Sequence, residues 1–134
     1  MLKRLFFSGL LGLSLASLSF TANAEISSQT DIAQLQPLAE QGNVEAQFYL
    51  GIKYAKGLGV AQDYSQAEYW YKQAAKQGVA EAQFNLGKIA QDYSQAMYWY
   101  EQAAEQGLAQ AQSNFGAMYE QGRGVTQDYS QAKY

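Results

Sequence analysis

Three aspartates, Asp63, Asp92 and Asp128, and three serines, Ser65, Ser94 and Ser130, have the residue types and the regular spacing that chemistry could use. Paired carboxylates would give a hydrolase its acid and base, and an activated serine would serve acyl transfer. Both trios, however, sit in one recurring frame. Ala61-Gln62-Asp63-Tyr64-Ser65-Gln66-Ala67 returns as Ala90-Gln91-Asp92-Tyr93-Ser94-Gln95-Ala96 and again as Thr126-Gln127-Asp128-Tyr129-Ser130-Gln131-Ala132. One helix start per unit accounts for all three aspartates, because an aspartate ahead of a helix accepts from the free amides of the first turn. The chain has no histidine, which removes the commonest activator of a serine and the commonest metal ligand. No Asp-x-Asp-x-Asp calcium loop with its glycine and distal glutamate occurs.

Two other patterns invite a chemical reading. Gly57-Leu58-Gly59 and Gly122-Arg123-Gly124 resemble phosphate loops in composition alone. Neither follows a predicted strand, so both are read as turns between helices. The triplets Tyr69-Trp70-Tyr71 and Tyr98-Trp99-Tyr100 could stack on sugars. Helical spacing assigns most of these rings to a core and leaves Tyr69 and Tyr98 as the exposed candidates. No catalytic, metal-binding or cofactor-binding residue is therefore assigned.

The elements that position these residues follow from periodicity. A first helix is predicted over Val44–Lys56, with Ala46, Leu50 and Tyr54 on one face and Gly57 to stop it. Gly51 inside it costs about 1 kcal/mol against alanine, which a close helix crossing would explain. A second helix starts at Asp63, with Gln66 completing a capping box. It gathers Ala67, Trp70, Tyr71, Ala74 and Ala75 on one stripe and ends at Gly78. Glu45-Ala46-Gln47-Phe48-Tyr49-Leu50-Gly51 recurs as Glu81-Ala82-Gln83-Phe84-Asn85-Leu86-Gly87, and more loosely as Gln110-Ala111-Gln112-Ser113-Asn114-Phe115-Gly116. A fixed period of this length marks a repeat architecture.

The pattern Ala-x-x-x-Leu-Gly-x-x-Tyr-x-x-Gly-x-Gly-Val-x-x-Asp-x-x-x-Ala-x-x-Trp-Tyr-x-x-Ala-Ala-x-x-Gly, intact from Ala46 to Gly78, closely resembles the Sel-1-like repeat, a relative of the tetratricopeptide repeat. The resemblance implies an all-α fold, a right-handed α-solenoid of antiparallel helix pairs, and a role as scaffold or adaptor for a protein partner. By analogy with tetratricopeptide repeats, the first helices would present Glu45, Phe48 and Ile52 in copy one, Glu81, Phe84 and Lys88 in copy two, and Gln110, Ser113 and Ala117 in copy three. Phe48 and Phe84 are open to two readings, partner contact or packing against neighbouring helices. Some cysteine-rich relatives carry a β-lactamase label, which makes an envelope hydrolase the alternative function. The chain has no cysteine, so the pairs that tie those helices together are missing.

The expected organisation is a secretory leader at 1–24, a half-repeat or cap helix at 25–42, and repeats at 43–78, 79–107 and 108–134. The last copy stops one position before its tryptophan and is read as incomplete, its first helix exposing apolar surface and its amides exchanging fast beyond about Gly122. The leader reading rests on Lys3 and Arg4, an uncharged apolar run over residues 5–18, and Ala22-Asn23-Ala24. The run is shorter than the roughly 20 residues of a bilayer span, so cleavage rather than membrane insertion is expected, with a periplasmic or secreted product. Loss of Lys3 and Arg4 leaves seven basic against twelve acidic residues, a formal charge of −5. Such a surface repels phosphate backbones, so no nucleic-acid partner is expected.

Copy two lacks seven residues: Gly87-Lys88-Ile89 runs straight into Ala90-Gln91-Asp92 where copy one has Tyr54 to Val60 between the matching points. Seven residues are close to two helical turns, so Ala82, Leu86, Ile89, Tyr93, Ala96, Tyr100 and Ala103 stay in phase. This spacing favours one unbroken helix from about 80 to 106. The competing reading keeps a hairpin, with a tight turn at Ile89 to Gln91 and the capping box at Asp92 and Gln95.

Overall fold

The computed structural model describes residues 25–122, so the leader at 1–24, the expected fast exchange beyond Gly122 and Asp128 lie outside the described residues. Among the described residues the chain is six helices and no strand: α1 Ile32–Glu40, α2 Val44–Lys56, α3 Tyr64–Lys76, α4 Ala80–Ile89, α5 Tyr93–Glu105 and α6 Ala109–Glu120. Each helix packs chiefly on its neighbours in sequence, the quasi-one-dimensional contact pattern of a solenoid.

Local chemistry sets the helix ends. The Asn43 side chain accepts from the Ala46 amide at the start of α2, and Asp63 does the same for Gln66 at the start of α3. Gly57 closes α2 in the left-handed conformation at φ 68°, which only glycine adopts without strain. The expected capping box of α3 is half formed. The Asp63 amide donates to the Tyr54 carbonyl at 2.9 Å instead of to Gln66, because the loop folds back onto the last turn of α2.

The apolar stripe of α3 is buried as its spacing requires: Ala67, Trp70, Tyr71, Ala74 and Ala75 all lie in the core. Alternation of large rings with alanines lets the helices approach closely. A Cβ on Gly51 would fall inside the van der Waals envelope of the Tyr71 ring, so the glycine inside α2 is the close crossing that its local cost implied. Tyr69 and Tyr98 are about half exposed.

Copy two is a hairpin, and the unbroken helix favoured by its phase does not form. α4 stops at Ile89, and Ala90 takes the extended conformation at φ −59° and ψ 136°. Asp92 then caps a new helix, accepting from the Gln95 amide at 2.8 Å, and α5 packs back against α4. Tyr93, which a continuous stripe would bury, is 54 % exposed. The physical reason is a crossing like that of the first copy: a Cβ on Gly87 would come within 2.6 Å of Tyr100 Cε1. The contact between these two residues requires α5 to lie alongside α4, and apolar phase alone cannot supply the area that the folded-back pair buries.

Carboxamides join the units. Gln47 is 5 % exposed; its Nε2 donates to the Ala39 carbonyl at 3.1 Å, and its Oε1 accepts from Gln77 Nε2 at 2.8 Å. Downstream, Gln112 donates to the Ala104 carbonyl and Gln106 to Gln83 Oε1. Thus α1 meets α2 through the same contact with which α5 meets α6. Ile26, ahead of α1, packs against the core cluster that α1 shares with α2 and Trp70.

Candidate functional site

The nine residues expected to face a partner all lie on the first helices of the three copies, α2, α4 and α6. Glu45, Glu81, Lys88, Gln110, Ser113 and Ala117 are exposed, while Phe48, Ile52 and Phe84 are partly buried. Phe48 and Ile52 pack onto the core cluster that holds Tyr71 and Leu86, with the Phe48 ring centroid 6.1 Å from that of Tyr71. In copy one the phenylalanine thus makes the packing contact with the neighbouring helix that one of its two readings expects.

Copies two and three are arranged differently. Phe84, Lys88, Gln110 and Ser113 meet around an open groove of about 570 Å³ between α4 and α6. Four of the nine are brought together there, and Glu45, Phe48 and Ile52 stand apart from it. Phe84 packs by one side on Tyr100, with centroids 5.6 Å apart, and carries Lys88 Nζ 5.7 Å from its ring centroid. That distance is within cation–π range, so the ammonium is held over the groove's aromatic wall. A second cavity of about 550 Å³ continues along the crease past Lys88 and Asn114 to the turn after α4 and the last turn of α6. Ala117 belongs to this second part, together with Gln91, Asp92, Met118 and Gln121, none of which the repeat analogy had selected. The signal that could have found them is the missing seven residues, whose absence ends α4 at Ile89, 10 residues long against 13 for α2.

Two tyrosines are anchored between successive helix pairs, and one of them, Tyr100, lies along the crease. Burial raises the Tyr71 hydroxyl pKa to about 12, and a hydrogen bond from Asn85 offsets part of that rise. Tyr100 is raised for the same first reason and is hydrogen-bonded by Asn114. Both stay neutral at any ordinary pH and act as linkers between one second helix and the next first helix.

The residues with a chemical look are used structurally. Asp63 and Asp92 cap helices, as their repetition implied. Among the described residues no group of three or more His, Cys, Asp or Glu side chains could hold a metal, and no helix is long and apolar enough to cross a membrane. Ser130 and Lys133 stand in the Ser-x-x-Lys spacing used by penicillin-reacting serine enzymes, a signal that reasoning from the repeat alone passes over. Both lie outside the described residues.

A chain of antiparallel helix pairs, each closed by the same glycine–tyrosine crossing and docked on the next by a tyrosine–asparagine link, defines a helical-repeat protein of the α-solenoid class. The particular kind is fixed by comparison: the Sel1 repeat model matches residues 44–79, 80–108 and 109–134, and the chain belongs to that family. Its fold is similar to the crystal structure of a protective antigen present in uropathogenic Escherichia coli strains that displays an SLR fold. That match has a TM-score of 0.71 and 40 % identity, and covers 78 % of this chain and 24 % of that one. It is also similar to a Sel1 repeat protein from Oxalobacter formigenes, with a TM-score of 0.67 and 36 % identity over 75 % of this chain and 43 % of that one. The chain thus spans about a quarter of the first relative and less than half of the second. Among curated proteins none shows significant similarity.

Proposed function

We propose that this Sel1 repeat chain is an exported scaffold or adaptor that binds a protein partner through its first helices, in the periplasm or outside the cell. The observation that carries the reading is the open groove between α4 and α6, where a half-buried aromatic ring, an ammonium and hydrogen-bonding side chains converge. Such a mixture of one apolar anchor and a few directional polar groups is what protein recognition uses. Sel1 repeats as a family commonly mediate contacts between proteins, and membership of that family supports the same use here. The leader pattern at 1–24 supports export.

Site-specific photo-cross-linking tests the face. A benzoylphenylalanine placed at Ser113 should give adducts in cells, and one placed at exposed Lys76 of α3 should not. Equal labelling from both positions, or none from Ser113, would remove the assignment.

A further inference from the structure

The two cavities of the crease share Lys88 and Asn114 as lining and together follow α6 from Ala109 to its cap at Gln121. Twelve helical residues span about 18 Å, which matches about five residues of extended chain. Carboxamides line this groove: Gln110 on α6, Gln121 at its C-terminal cap and Gln91 across from it at the turn, while Asn114 between them is engaged with Tyr100. A carboxamide offers both a donor and an acceptor. That is the complement of a peptide main chain whose own N–H and C=O groups are unpaired, and a bound helix, satisfied internally, would make no use of it. Apolar contact comes from Phe84 at one end and Met118 at the other. The cation of the groove is Lys88, which is exposed and held over Phe84. Asp92 lines the far half of the groove, where its carboxylate accepts from the Gln95 amide, so the anionic contact belongs at the Phe84 end. The wider acidic surface is screened beyond a Debye length of about 8 Å at physiological salt.

We infer that the crease between α4 and α6 binds an extended polypeptide segment of about five residues that presents a carboxylate side chain to Lys88. This deepens the protein-binding reading above and rests on it. The missing seven residues give the groove its far half: in copy one the matching stretch adds a turn to α2 and a loop tied down by Gln62 Nε2 donating to the Ala55 carbonyl at 2.8 Å. Copy two has only the short turn at Ala90 to Asp92, which lines the cavity together with Met118 and Gln121 at the end of α6.

The test uses a displayed library of random 12-residue peptides selected on the purified protein, with the winners measured by fluorescence anisotropy. Three forms are compared: the natural chain, Lys88→Glu, and a variant with Tyr-Ala-Lys-Gly-Leu-Gly-Val, the sequence of residues 54–60, inserted between Ile89 and Ala90. The expected winners carry Asp or Glu and bind without gaining helical circular dichroism. They weaken at least about fivefold in Lys88→Glu and at least about tenfold in the insertion variant. If the insertion lowers helicity, the exposed Lys88→Glu change decides alone. Winners that fold into helices, or that bind both variants as well as the natural chain, would overturn the inference. So would a concentration-dependent dimer in sedimentation that excludes peptide, since the occupant would then be a second copy. If no peptide is selected while Ser113 still cross-links, the groove assignment fails and the protein-binding reading stands; loss of both removes both.

Discussion

Gly87 lies beneath the ring of Tyr100, so close that a methyl group there would come within 2.6 Å of Cε1, and Gly51 lies in the same way beneath Tyr71. Alanine is normally the better helix former by about 1 kcal/mol. At these two sites overpacking against a buried ring, typically about 1–3 kcal/mol, opposes that gain. Gly51→Ala and Gly87→Ala are therefore expected to lower stability in urea denaturation. A rise in the unfolding midpoint for either would show that the helices have room to part.

Tyr71 gives a pH dependence with a definite sign. Its folded-state pKa is about 12 against an ordinary 10.0. Below pH 10 both states hold the proton and stability is independent of this group. Between pH 10 and 12 the unfolded chain releases the proton while the folded chain retains it, so stability falls as pH rises through that window. Tyr100 is shifted in the same direction. Ultraviolet titration should show two late-ionising phenols, and Tyr71→Phe should flatten the alkaline loss of stability.

The turn of copy two depends on its cap. Asp92→Ala removes the carboxylate that accepts from the Gln95 amide and should cost about 1 kcal/mol, with Asp92→Asn retaining most of it. For a domain of this size that amounts to a melting-point drop of about 4–8 °C. An unchanged melting curve for the alanine variant would mean that the hairpin is held by packing alone.

Gln47 joins three helices. Its Nε2 reaches the Ala39 carbonyl, and its Oε1 receives Gln77. Gln47→Leu keeps the volume and removes both bonds, while the Ala39 carbonyl still accepts from the Gly42 amide and Gln77 still donates to the Gly42 carbonyl. The loss is therefore that of ordinary hydrogen bonds, about 0.5–1.5 kcal/mol each. Hydrogen exchange should then speed up in α1 before it does in α5.

Export makes a prediction of its own. Expressed with its leader, the protein should be recovered starting at Glu25, as read by intact mass; residues 1–24 retained in a membrane fraction would contradict it.

Much of this was legible in the sequence. Ala67, Trp70, Tyr71, Ala74 and Ala75 declared their stripe, and Asp63 and Gly57 their helix ends, because each of these is a local rule acting within a few residues. The turn at Ala90 was not legible from apolar spacing. Deleting two helical turns leaves the apolar phase intact, so periodicity cannot tell one long helix from a hairpin. The close crossing that accounts for Gly51 accounts equally for Gly87, and extending it there points to the hairpin. The far half of the groove escaped because Met118 and Gln121 acquire a role only when something is missing opposite them. The Gln47 and Gln112 contacts are tertiary, although the recurrence of glutamine at those points in each copy is visible in the sequence.

The tyrosine–asparagine links run from α3 to α4 and from α5 to α6, and neither passes through the turn inside copy two. The stacking order is thus written in contacts that the turn does not touch. Chain can be removed at that joint, and by the same logic added, without disturbing what stacks on what. The turn is a splice point, where the width of a cleft can be changed independently of the integrity of the rod.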